Sequence, residues 1–152
     1  MCDHCGCRNV GPTAELTREH DEILVLAWRV AEADDLDSGP GLEALEAFAE
    51  LHGRHSRKEE LGLFPLVLEG GDCTPEQIDT LVAEHRELDR NLAARRFSRR
   101  DYYALAAHIE AEESEVFPMA MFGFDNIMWD DMEHAHRHVD AAAGISDGPG
   151  GP

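Results

Sequence analysis

His55-Ser56-Arg57-Lys58-Glu59-Glu60-Leu61-Gly62-Leu63-Phe64-Pro65 is echoed further along the chain by His108-Ile109-Glu110-Ala111-Glu112-Glu113-Ser114-Glu115-Val116-Phe117-Pro118. The His, both Glu, the Phe and the Pro recur at identical spacing. A second echo precedes each stretch: Glu19-His20-Asp21-Glu22-Ile23 and Glu84-His85-Arg86-Glu87-Leu88. The repeated residues are polar, yet they occupy positions where a helical pattern puts core. A His and a Glu four apart lie on one helix face about a turn apart, so each motif aims an imidazole and a carboxylate at the same part of the interior. Each half of the chain therefore offers two His and one Glu.

Around these motifs the apolar residues keep helical period, and no stretch combines period-two alternation with β-branched enrichment. The spacing predicts a first helix from about Thr13 to Asp34, with Leu16, His20, Ile23, Leu24, Ala27 and Val30 on one face. A break at Asp37-Ser38-Gly39-Pro40-Gly41 leads to a second, from Leu42 through His52, His55 and Glu59; Pro65 disturbs its last turns and Gly70-Gly71 closes it. Thr74-Pro75-Glu76-Gln77 has the form of a capping box for a third helix through His85, and Ser98 to Asp101 opens a fourth, which Pro118 is expected to end. Short links between long helices imply antiparallel neighbours. The expected fold is all-α: an up-down-up-down four-helix bundle over residues 13–122, with a short extra C-terminal helix within 123–143. A Cys-rich segment, 1–12, precedes it, and the composition of 144–152 predicts a disordered tail.

Four His and two Glu inside an apolar bundle are costly without a partner, because an unpaired buried carboxylate or imidazole costs several kcal/mol. No Lys or Arg falls on the same helical stripes. A cation among them resolves the difficulty, and imidazole with carboxylate, without thiolate, suits iron, manganese or zinc. Two carboxylates flanked by four His suggest two metal ions bridged by Glu59 and Glu112, the way bundle cores hold dinuclear sites. Glu60 and Glu113 are rotated by about 100° from the ligands and read as solvated carboxylates or as hydrogen-bond partners of ligands.

At these residues the chain resembles the hemerythrin-like, or HHE cation-binding, family of antiparallel four-helix bundles with a non-haem diiron site. The resemblance implies that His20 and His55 bind one iron, that His85 and His108 bind the other, and that Glu59 and Glu112 bridge them together with hydroxide or oxide. There are departures. Oxygen-carrying members have a second His four residues after the third-helix ligand, where this chain has Asp89, and they end with His-x-x-x-x-Asp where it has His108-x-x-x-Glu112. One iron then binds Asp89 or water in place of a third His, which argues against simple reversible oxygen carriage. His52, whose repeat counterpart is Leu105, lies close to the Glu59 direction and reads as a fifth His ligand or as a group bonded to one.

Cys2-x-x-Cys5-x-Cys7, with His4 between, is tight enough to chelate zinc or to exchange disulfides, and an up-down bundle brings Cys73 to the same end as a fourth partner. The competing reading is a thiol-rich tail beside an unrelated loop Cys. His134 and His138 share a helical face and could bind a metal, but Glu133 and Arg137 beside them favour reading the trio with His136 as surface.

The 13 Lys plus Arg stand against 32 Asp plus Glu, a formal net charge of −19, which disfavours nucleic acid and anionic membrane surfaces as partners. No membrane anchor or export signal is readable, and four Cys are few for a disulfide scaffold, so a reducing cytoplasm is the expected setting. No nucleophile triad, phosphate loop or nucleotide fingerprint supports a hydrolase or kinase. Two function classes follow: a protein that binds or senses dioxygen, nitric oxide or peroxide with a redox response, and a diiron oxidoreductase acting on peroxide or dioxygen. Iron storage or donation is a third.

Overall fold

Thr74 and Ser98 each start a helix with a capping box: the Thr74 hydroxyl accepts from the Gln77 N–H while the Gln77 side chain accepts from the Thr74 N–H, and Ser98 pairs in the same way with Asp101. In the computed structural model, which describes residues 11–71 and 73–145, these caps open α4 (Pro75–Ala93) and α5 (Arg99–Ala111). Before them come α1 (Gly11–Ala31), α2 (Gly39–Lys58) and α3 (Phe64–Gly70); after them come α6 (Phe117–Gly123) and α7 (Asn126–Ala142). Gly71, at φ +76°, ends α3 in the left-handed conformation that favours glycine. Among the described residues there is no strand, and no helix is long and apolar enough to cross a membrane.

Pro65 and Pro118 do not end their helices. Between α2 and α3 lies a π-helical turn, Glu59–Leu63, and between α5 and α6 another, Glu112–Val116. Each turn starts on the repeated Glu and is closed by a bond from the repeated Phe five residues on: Phe64 N–H to the Glu59 carbonyl, and Phe117 N–H to the Glu112 carbonyl. Proline lacks an N–H and clashes with the carbonyl one turn back, and the wider turn just upstream lets the rod continue through it. The second rod thus runs from Gly39 to Gly70 and the fourth from Arg99 to Gly123.

The rods form a ring in which α1 contacts α2 and α5, and α4 contacts α2 and α5. Two apolar clusters fill it. Leu16, Leu63, Phe64, Ile78, Leu81, Val116 and Phe117 belong to one; Ile23, Ala27, Phe48, Leu51, Leu92, Leu105 and Ile109 belong to the other. Along α1 and α4 the chain passes from the first cluster to the second, and along the other two rods it passes back. That alternation is the up-down-up-down order. At the crossing between clusters each rod places its repeated His, so the polar layer is shielded by apolar packing on both sides. The extra helix α7 lies against α1, α2 and the first π turn.

Candidate metal centre

His20, His55, His85, His108, Glu59 and Glu112 are all buried and meet in this middle layer. His20, His55, Glu59 and Glu112 form one group whose ligand atoms lie within 4.8 Å of one another; His85, His108 and Glu112 form another. The carboxylates divide their oxygens between the halves. Glu59 Oε1 lies 3.2 Å from His55 Nε2 and 3.7 Å from His20 Nε2, while its Oε2 is 3.4 Å from His85 Nε2. Glu112 Oε1 lies 3.1 Å from His108 Nε2 and 3.7 Å from His85 Nε2, while its Oε2 is 3.3 Å from His20 Nε2. Two atoms each about 2.1 Å from a common ion and at roughly right angles to it stand about 3 Å apart, so these separations suit two cation positions spanned by two carboxylates.

The outer nitrogens are held with the symmetry of the repeat. His55 Nδ1 pairs with Glu19 at 2.9 Å and His108 Nδ1 with Glu84 at 2.6 Å, each within its own half. His20 Nδ1 pairs with Glu113 and His85 Nδ1 with Glu60, both at 3.0 Å, each across the halves. The repeated Phe crosses too, with Phe117 stacked on His20 at 5.5 Å and Phe64 on His85 at 6.0 Å. Each His-x-x-x-Glu-Glu-x-x-x-Phe-Pro unit therefore supplies two inward side chains and then orients the upstream His of the other half. A carboxylate on Nδ1 keeps the proton there and leaves the Nε2 lone pair facing inward.

The inner atoms test whether a cation fits. His20 Nε2, His55 Nε2 and both carboxylate oxygens of Glu59 and of Glu112 are buried without a hydrogen-bond partner. His85 Nε2 and His108 Nε2 face each other at 3.1 Å, so two lone pairs meet unless a positive charge lies between or beside them. Burial alone would lower the basicity of His20, but Glu112, Glu113 and Glu59 override it and hold it well above the ordinary imidazole value. His85 is likewise pushed up to about 12, against burial, by Glu112, Glu59 and Glu60. Burial would raise the Glu59 carboxyl, yet His55, His20 and His85 hold it well below the usual range. Strongly basic nitrogens around acidic, buried carboxyls mark a place built for positive charge, where protons and metal ions compete for the same lone pairs.

Other candidates lie elsewhere. His52 turns Nδ1 to Asp89 at 3.0 Å and Nε2 to Ser56 Oγ at 3.1 Å, and it stands outside both groups; the Asp89 side chain is 44% exposed. Cys73 is buried in the first apolar cluster and donates to Gln77 Oε1 at 3.7 Å. Cys2, Cys5 and Cys7, the tail beyond Ile145, and with them the thiol site, lie outside the described residues. His134 and His138 are exposed, whereas His136, at 3% exposure, is not surface: its Nδ1 meets Glu15 at 2.8 Å.

No Lys or Arg was expected on the helical stripes of the inward His and Glu, yet one lies buried just behind them. Lys58, immediately before Glu59, is 1% exposed, and its Nζ contacts Glu15 at 2.5 Å, Glu19 at 2.7 Å and Asp140 of α7 at 3.0 Å. It touches no inner atom, but it neutralises Glu19, which orients His55. The signal for it was faint, because Lys58 is buried by α7, an element outside the repeat. Gly62 admits that helix: a Cβ there would meet Ala135 Cβ at 3.3 Å and His136 Cδ2 at 3.4 Å.

No curated protein and no solved structure matches the chain. The family model of the hemerythrin HHE cation binding domain matches residues 11–120, which contain all six inward side chains and both π turns. The chain belongs to the hemerythrin HHE cation-binding domain family.

Proposed function

We propose that this chain is a non-haem diiron protein that binds or senses a small ligand, dioxygen, nitric oxide or peroxide, and answers with a change of iron redox state. The observation that carries the reading is the division of the Glu59 and Glu112 oxygens between two histidine pairs, which suits two ions rather than one. His20 and His55 would hold one iron, His85 and His108 the other, with both carboxylates shared. Bound iron supplies a cation that takes up a small ligand and changes oxidation state. The chain supplies the rest. Glu19, Glu60, Glu84 and Glu113 keep the Nδ1 protons in place, and the two apolar clusters exclude water from the carboxylates. The reducing cytoplasm proposed as its setting rests on the cysteine pattern.

Iron analysis of anaerobically purified protein tests the reading, followed by optical spectra after air, nitric oxide and peroxide. About two irons per chain are expected, with a lasting and reversible spectral response. His55→Ala and Glu59→Ala should each lower bound iron sharply, and full occupancy in both would overturn the assignment. A second reading, an oxidoreductase acting on peroxide or dioxygen, is favoured by a cavity that reaches His85 and His108. Rapid peroxide loss with no lasting spectral change would select it.

A further inference from the structure

The two histidine pairs differ in what lies outside them. Between α4 and α5 a cavity of about 160 Å³ has His52, His85, Leu105 and His108 as its floor and Glu84, Glu87 and Ala104 at its exposed rim. That volume admits several water-sized molecules, about 30 Å³ each in the liquid. The repeat shows why it exists. Ala104 corresponds to Leu51 and Asp101 to Phe48, and both first-half residues are buried in the second apolar cluster. The first half fills with a Leu and a Phe the space that the second half leaves to a methyl group and a carboxylate. The first pair is also covered from outside, where Lys58, Glu19 and Asp140 tie α7 over His55.

We propose that the α4–α5 cleft is the approach path of the small ligand, that the ligand is uncharged, and that it arrives at the His85–His108 side of the centre. The statement rests on the dinuclear reading above and adds side, route and charge class to it. Size follows from the cavity. Charge follows from its rim: Glu84, Glu87 and Asp101 line it on a chain of formal net charge −19, and among the described residues no Lys or Arg does, so an anion meets repulsion at the mouth while dioxygen, nitric oxide or hydrogen peroxide does not. Inside, Leu88 and Leu105 give an apolar wall of the kind that small neutral molecules partition into.

Ala104→Leu copies the first half into the second at an exposed position on α5 that touches no inward ligand. The iron-loaded variant should keep its iron and its melting temperature while the rate of the nitric-oxide-dependent spectral change falls about tenfold or more. An unchanged rate would overturn the route. Glu87→Lys should speed azide binding several-fold and leave the nitric oxide rate alone; equal response of both ligands would overturn the charge class. A readout independent of iron is relaxation of backbone amides by dissolved dioxygen in zinc-loaded protein. Enhancement centred on Leu88, Ala104 and Leu105, abolished by Ala104→Leu, is expected. Enhancement at Ile23 and Leu51 instead would place the path in the first half and sink the proposal. Iron content far from two per chain would defeat the dinuclear reading, while the dioxygen map would still decide the cleft.

Discussion

The halves of this bundle share their inward side chains and the carboxylates and Phe rings that support them, and differ in what packs around that shared frame. Lys58 corresponds to Ala111, Gly62 to Glu115, Leu51 to Ala104, Leu105 to His52 and Leu24 to Asp89. In the first half, Lys58 supplies a buried cation and Gly62 the room for α7 to close over His55. In the second, Glu115 is exposed, no helix among the described residues covers the pair, and a cavity opens beside His85 and His108. The comparison teaches that the repeat keeps the inward set and its carboxylate supports, while a few differing residues leave one side covered and the other beside a cavity.

The largest effect should come from stripping the metal. A ligand present at a thousand times its Kd stabilises the fold by about 4 kcal/mol, so chelation should lower the melting temperature by roughly 8–16 °C for a chain of this size. The comparison predicts two phases under chelator, the accessible side first; loss in one phase at one rate would break it. Next is Lys58→Met. Removing one member of a buried charge cluster costs about 3 kcal/mol, here because Glu15 and Glu19 lose their counter-ion. Calorimetry should show a drop of about 6–12 °C, whereas Glu84→Gln, at a carboxylate half open to solvent, should cost about 1 kcal/mol. Equal losses would mean the α7 side is not the more rigid one.

How much of this could be read from the residues follows from where each contact is encoded. The inward His and Glu were legible because His55 with Glu59, and His108 with Glu112, are neighbours on their own helices, and the helix starts at Thr74 and Ser98 were legible because their caps are local. The π turns were not. Pro65 reads as a disturbance of the last turns and Pro118 as a stop, and only the Phe64-to-Glu59 and Phe117-to-Glu112 bonds reveal the wider turn that absorbs them. The crossed supports were half legible: Glu60 and Glu113 stood out as rotated carboxylates, but their pairing with His85 and His20 depends on how rods pack. Lys58 was missed, and His136 reads as surface from the sequence, because the docking of α7, which has no counterpart in the repeat, buries both.

Acid should loosen the first half before the second at the α7 contact. Burial opposes ionisation of Glu15, but His136 and Lys58 outweigh it and lower its pKa from 4.5 to about 2. A carboxyl depressed in the folded state contributes fully above its unfolded pKa, so the contribution is present above pH 4.5 and is lost as pH falls toward 2. Because Glu15 is partly open to solvent, screening reduces the effect to about 1–2 kcal/mol. Hydrogen exchange between pH 5 and pH 2.5, corrected for intrinsic rates, should show α7 losing protection ahead of α4. The reverse order would contradict the assignment of Glu15 as the α7 anchor.

The smallest effect is expected where the contact between α2 and α4 carries a polar pair. Replacing His52 and Asp89 together by Leu gives it the residues that α5 and α1 already have at the corresponding positions, Leu105 and Leu24. The two side chains bond to each other, so removing both leaves neither unpaired, and Ser56 keeps its bond to the carbonyl of residue 52. A paired polar couple exchanged for apolar groups of similar shape is close to neutral, so the double variant should melt within the equivalent of about 1 kcal/mol of the parent. His52→Leu alone leaves Asp89 its solvent, and Asp89→Leu alone strands a buried imidazole, so the second single variant should be the worse one. If the double variant instead loses iron, His52 or Asp89 holds metal when the site is filled, and the His85–His108 side differs from the His20–His55 side in its donor set as well as in its surroundings.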